Sequence, residues 1–198
     1  MQQSVPGRSA KLKWFFLISL VVTFAFTLFM RNYLHPLTSA DIIRFEMAKT
    51  PDKATAVLFD WESAGKLDAA ITGIYLDYIF IILYTTMIAL GCRFLSSISG
   101  NDLLAQTGKF FGLLIFLAAI FDVVENKAML ASLREGVSIE NVDLTYKMAI
   151  SKFSIVLMSL FFMAICLVSW LAGLLLRKKE LSNVKREMSI LRNLTQRD

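Results

Sequence analysis

Four long apolar blocks decide what this chain can fold into. They lie at about residues 13–30, 69–92, 110–133 and 152–176. A helix needs roughly 20 mainly apolar residues to cross ~30 Å of hydrocarbon, and it satisfies every backbone N–H and C=O within its own segment. Four such blocks predict an all-α, polytopic membrane four-helix bundle. A transmembrane barrel would instead show many segments of ~10 residues with alternating polarity. The chain is 56% hydrophobic, against roughly 45–50% for a soluble domain. The surplus sits in the four blocks.

Charge gives the orientation. Arg8, Lys11 and Lys13 precede the first block, and Arg93 and Lys109 flank the link between the second and third. Arg177, Lys178, Lys179, Lys185, Arg186, Arg192 and Arg197 follow the fourth. The other two connections hold more acids than bases. By the positive-inside rule, both termini and the 93–109 link are cytoplasmic, in a cell inner (plasma) membrane. Topology therefore accounts for the net charge of +5, and no nucleic-acid partner is expected. The first block has a basic start, but its core, Trp14–Met30, is 17 residues long and ends in Arg31-Asn32-Tyr33. That is longer than a signal-peptide core and lacks a small-x-small site, so a retained span is expected. Cys92 and Cys166 both fall within spans and give neither a disulfide framework nor metal-ligand spacing.

The chain divides into a membrane domain, 1–176, and a basic cytoplasmic amphipathic tail, 177–198. Within the first, residues 31–68 form an outer cap. Ser39 is expected to cap a short helix over Ala40–Lys49. Thr50-Pro51 opens a second, with Pro at its first helical position, ending near Gly65. Val57, Leu58 and Trp61 fall at helical spacing. This pair either lies on the outer leaflet as amphipathic helices or packs on the bundle. In the tail, Leu181, Val184, Met188 and Leu191 are spaced 3, 4 and 3. A tail helix of this pattern pairs as a coiled coil, lies on anionic lipid, or stays solvated. Gly108 and Gly112 form a GxxxG in the third span, which favours close helix packing. Lipid bilayer is thus the expected partner, with self-association through Gly108/Gly112 or the tail helix.

The third block contains acids where a span should have none. Keeping Asp77 and Asp122 out of the hydrocarbon would trim the second span to Tyr78–Cys92, 15 residues, and the third to Phe110–Phe121, 12 residues. Those reach about 22 and 18 Å, too short for a bilayer core. Both acids must enter, each at roughly 2.5–3.5 kcal/mol on the insertion scale, so both should face the bundle interior and find partners. Periodicity agrees. Asp77, Ile81, Tyr84 and Ile88 share one stripe of the second span, and Ala118, Asp122, Glu125, Asn126 and Met129 one stripe of the third. Lys147 and Lys152 begin the fourth span on the same side, with Lys127 nearby. Asp77, Tyr84, Asp122, Glu125, Asn126 and Lys152 are therefore expected to converge below the outer surface. No cofactor is predicted. The single His35 lies outside the spans, which disfavours zinc, while a hard cation such as Ca²⁺ or Mg²⁺ stays compatible with carboxylates.

The segments FEMAKTPDKATAVLFDW, YLDYIFIILYTTMIAL and LAAIFDVVEN resemble a family of small bacterial four-span inner-membrane proteins. Its marks are an outer F-E…W segment, an L-D-x-x-F-I-x-x-Y second span and a D-x-x-E-N third span. The resemblance covers about residues 45–130. The family has no assigned activity, so the resemblance implies an architecture and supplies no reaction. Three readings follow. One is a pocket for a small ligand, lipid headgroup or cation, with acid–base chemistry by Asp122 or Glu125. A second is a non-catalytic scaffold or accessory subunit whose buried charges brace the helices. A third is a proton-coupled carrier, for which four spans are few without oligomerisation.

Overall fold

The computed structural model describes residues 6–195, with side chains described for residues 10–182, 184 and 185. Among these the chain is all-helical. Its six helices are α1 (Pro6–Tyr33), α2 (Ser39–Glu46), α3 (Pro51–Ser63), α4 (Leu67–Ile98), α5 (Asp102–Glu135) and α6 (Ile139–Thr195). Of these, α1, α4, α5 and α6 are long and apolar enough to cross a membrane, and the chain reads as a multi-pass membrane protein. Helices α2 and α3 and the α5–α6 turn lie at one end of the long helices, called the cap side, and the α4–α5 turn lies at the other, called the tail side.

Helices α4, α5 and α6 pack on one another, and α1 packs against α4. The outward surfaces are apolar, as Trp14, Phe15, Val21, Phe24, Ile82, Leu113 and Phe161 are exposed. Such surfaces are matched by lipid tails, so close packing and polar contacts must hold the helices together. Gly108 shows how closely α4 and α5 approach. A Cβ there would collide with Ser96 Oγ and stand 2.7 Å from the Cys92 carbonyl oxygen, and one on Gly112 would stand 3.2 Å from the Ala89 carbonyl. The glycine edge, expected as one route to self-association, is occupied by this chain's own α4.

The cap begins one residue earlier than the Ser39 expectation. Thr38 is the N-cap of α2, in a capping box with Asp41. Lys66, just ahead of α4, reaches the same Asp41 carboxylate at 3.0 Å. Pro51 opens α3 after Thr50, and Gly65, at φ +65°, turns the chain into α4 in a conformation that costs glycine little. The pair packs on the ends of the long helices. Phe45, Ala54, Val57 and Trp61 are buried with Ile74 of α4, Met129 of α5 and Val142 of α6, and the Phe45 and Trp61 rings lie 5.4 Å apart.

Helix α6 starts well before the apolar block at 152. Ser138 Oγ accepts from the Asn141 amide at 3.1 Å, and Lys147 pairs with Asp143 at 2.7 Å, one turn apart. Both favour helix outside the hydrocarbon. The helix then runs 57 residues without a break, about 86 Å. Of the tail stripe, Leu181 and Val184 are exposed. Met188 and Leu191 have side chains outside the described ones, as do Arg8, Arg186, Arg192 and Arg197.

Candidate functional site: a buried lysine among four acids

Three long helices deliver the polar groups to one level. Asp77 is ten residues from the cap-side start of α4 (77 − 67), and Glu125 ten from the cap-side end of α5 (135 − 125). Asp122 and Lys152 are each thirteen in, on α5 (135 − 122) and α6 (152 − 139). At 1.5 Å per residue these depths are about 15 and 20 Å. The stripes predicted from periodicity are the buried ones: Ile81, Tyr84 and Ile88 on α4, and Ala118, Asp122, Glu125, Asn126 and Met129 on α5.

Lys152 is the hub. Its Nζ donates to Asp122 Oδ1 at 2.7 Å, to Glu125 Oε1 at 2.9 Å and to Glu46 Oε1 at 3.3 Å. An ammonium has three N–H donors, so all are spent. Tyr84 Oη donates to the second Asp122 oxygen at 2.8 Å. Asn126 Nδ2 donates to Asp77 Oδ2 at 2.7 Å. Of the six residues singled out from sequence, Tyr84, Asp122, Glu125 and Lys152 are joined through these contacts. Asn126 and the half-buried Asp77 form a separate hydrogen-bonded pair on the same two helices, α5 and α4. The other two lysines considered stay out. Lys127 is exposed, and Lys147 is held at the surface by Asp143.

Glu46 is the member that the candidate set did not include. It sits on α2, 5% exposed, and closes the network from the cap. A signal existed, since Ile42, Phe45 and Glu46 are spaced 3 and 1 and so share one face of a short helix. An acid on the apolar face of a cap helix needs a cationic partner below it.

The cluster is closed. Glu125 is 0% exposed, Asn126 3%, Asp122 4% and Lys152 7%. The polar groups converge on the Lys152 amine itself, not on an opening. Two clefts lie elsewhere. One, of about 310 Å³, is in the cap, between Arg44, Met47, Ala48, Lys53, Ala56 and Val57. The other, of about 340 Å³, is a shallow apolar hollow beside Phe116, Ile120 and Val123. Among the described residues, no group of three or more His, Cys, Asp or Glu side chains has an arrangement suited to a metal ion. Chemically, the cluster is an ion-paired junction that joins three helices and carries more acid than base.

Compared with family models, curated proteins and solved structures, the chain has no match. Its functional reading therefore rests on this geometry.

Proposed function

We propose that the protein is a multi-pass inner-membrane scaffold or accessory subunit, non-catalytic, with both termini in the cytoplasm. In this reading the buried charges brace the four-helix bundle and clasp the outer cap to it, and α6 presents its basic end at the cytoplasmic face. The observation that carries the proposal is the Lys152 contact set. One ammonium reaches three carboxylates within 3.3 Å, from α2 and from two turns of α5. A cation so saturated leaves no donor facing outward for a ligand. The unbroken α6 supports the rest, because one rigid helix joins the cluster to the tail. The resemblance to small four-span bacterial proteins fits this architecture.

A second reading is favoured by the charge balance. Asp77, Tyr84, Asp122, Glu125, Asn126 and Lys152 would then form a site for a small ligand, lipid headgroup or hard cation. Four carboxyls stand against one ammonium, and an excess of buried acid attracts cationic species. Native mass spectrometry of the purified protein separates the two. The scaffold reading predicts spectra free of a retained species, unchanged in Asp122→Asn and Glu125→Gln. An adduct of fixed mass that both stable variants lose would establish the binding site instead.

A further inference from the structure

Helix α6 overshoots the bundle to which it belongs. Ser169 Oγ donates to the carbonyl oxygen of Ser99, the residue that ends α4, at 3.3 Å. From that level α6 runs on to Thr195, 26 residues further (195 − 169), or about 39 Å. Among the described side chains of this stretch, residues 171–182, 184 and 185 are all exposed. The helix has no break between span and tail, so the tail follows the axis of the span and does not fold down onto the bilayer. Its apolar stripe begins at Leu181, twelve residues past Ser169 (181 − 169), or about 18 Å clear of the α4–α5 turn. There Leu181 is 63% and Val184 50% exposed. By sequence, Met188 and Leu191 continue the same face at the a/d spacing of a coiled coil.

We propose that this stripe is covered by the same stripe of a second copy, the two tail helices pairing in parallel as a two-fold coiled coil. Charge is what selects the occupant. With Leu181 and Met188 at a, and Val184 and Leu191 at d, the g positions are Glu180 and Glu187 and the e positions are Lys178, Lys185 and Arg192. In a parallel pair, each g residue faces the e residue five places further along the other helix. Glu180 then meets Lys185 of the second copy and Glu187 meets its Arg192, and two-fold symmetry repeats both pairs. An antiparallel pair would set acid against acid and base against base. Glu187 also has no base three or four residues away in its own helix, where Asn183, Val184, Ile190 and Leu191 stand. Its charge therefore gains no ordinary helical ion pair within one chain.

The membrane supplies what so short a seam lacks. Helices below about 12–15 residues are marginal in free solution, and two heptads alone would pair weakly. Here the tail is the end of a span, so its helix is already nucleated. Two copies in one bilayer also send their tails out of the same face, already parallel and at raised effective concentration. Arg177, one heptad before Val184, places a charge at a d position and ends the seam on the bilayer side. The pairing is independent of the Lys152 cluster and stands whether that cluster braces or binds.

Disulfide cross-linking of the full chain in membranes reads the seam directly. In a Cys92→Ala, Cys166→Ala background, Leu181→Cys, Val184→Cys and Met188→Cys should each give a cross-linked dimer under mild oxidation. Ser182→Cys, Arg186→Cys and Ser189→Cys, on the far side of the helix, should give little. A second experiment exchanges the charges. Glu180→Lys with Glu187→Lys should abolish the dimer, and so should Lys185→Glu with Arg192→Glu. Two differently tagged chains, one carrying each pair of changes, should recover it and co-purify as a mixed dimer. These changes lie beyond the bundle, so loss of pairing is not loss of fold. A cross-linking profile without the 3–4 spacing, or a dimer that survives either charge reversal alone, overturns the proposal. So does a chain that stays monomeric, which leaves the stripe to lipid or to another protein. The bracing role is judged separately, by the coupling between Asp122 and Lys152, so the two ideas fail on different measurements.

Discussion

Lys152 concentrates the structural burden of the cluster in one side chain. Replacing it by Met removes three charge-assisted hydrogen bonds and strands Glu46, Asp122 and Glu125 in a buried setting. Breaking a buried pair by removing one partner costs about 3–5 kcal/mol. Lys152→Met should therefore lower the unfolding free energy by that order, read from denaturant unfolding in mixed micelles. Gly108 tests packing at the same scale. Since a Cβ there would stand 2.7 Å from a backbone oxygen, Gly108→Ala should force α4 and α5 apart, at about 1–3 kcal/mol. A variant as stable as the wild type would show that the contact yields easily. Most of the cluster was legible residue by residue, because acids inside an apolar run must turn inward. Glu46 was not, because it lies in a connection where acids are ordinary, and only tertiary docking distinguishes it from Glu62. The direction of the Gly108 edge was hidden for a related reason: spacing gives a face, not the partner that covers it.

At the scale of elements, the cap and α6 carry separate expectations. Thr38→Ala removes the N-cap of α2 and should cost about 1 kcal/mol of cap stability, visible as faster hydrogen exchange in α2 with α4–α6 unaffected. Asp41 adds a pH term outside the membrane. Its slight burial raises the carboxyl's pKa, but the Thr38 backbone and hydroxyl and the Lys66 ammonium outweigh this and hold it below its ordinary value. A carboxyl lowered in the folded state stabilises it above the ordinary carboxylate range, and that support fades as pH falls through the folded value. Exchange in α2 should thus rise in acid in the wild type and be flatter in Asp41→Asn. For α6, truncation after Lys179 should leave the four long helices folded, since 180–195 lies beyond the apolar stretch that packs against α5. Loss of micelle-stable protein would contradict this. The apolar blocks made the four long helices readable, whereas the true start of α6 was not. Its first turns are polar and held by a cap and an Asp143–Lys147 pair, which no apolar stripe announces.

For the whole molecule, the arrangement predicts a sidedness. A reporter fused after Asp198 should be cytoplasmic, and a cysteine at Phe59, which is 69% exposed, should label from outside intact cells. Labelling of the tail from outside, with position 59 protected, would invert the reading of the charge distribution. The central claim, however, is that the buried charges hold the helices to one another. The most direct test is a double-mutant cycle between Asp122 and Lys152, 2.7 Å apart on α5 and α6. Unfolding free energies are measured for the wild type, Asp122→Asn, Lys152→Met and the pair together. Residues in contact within one network couple by about 0.5–3 kcal/mol. A brace predicts coupling in the upper part of that range, with the double variant regaining much of the stability lost in Lys152→Met. Additive losses, with coupling indistinguishable from zero, would contradict the account.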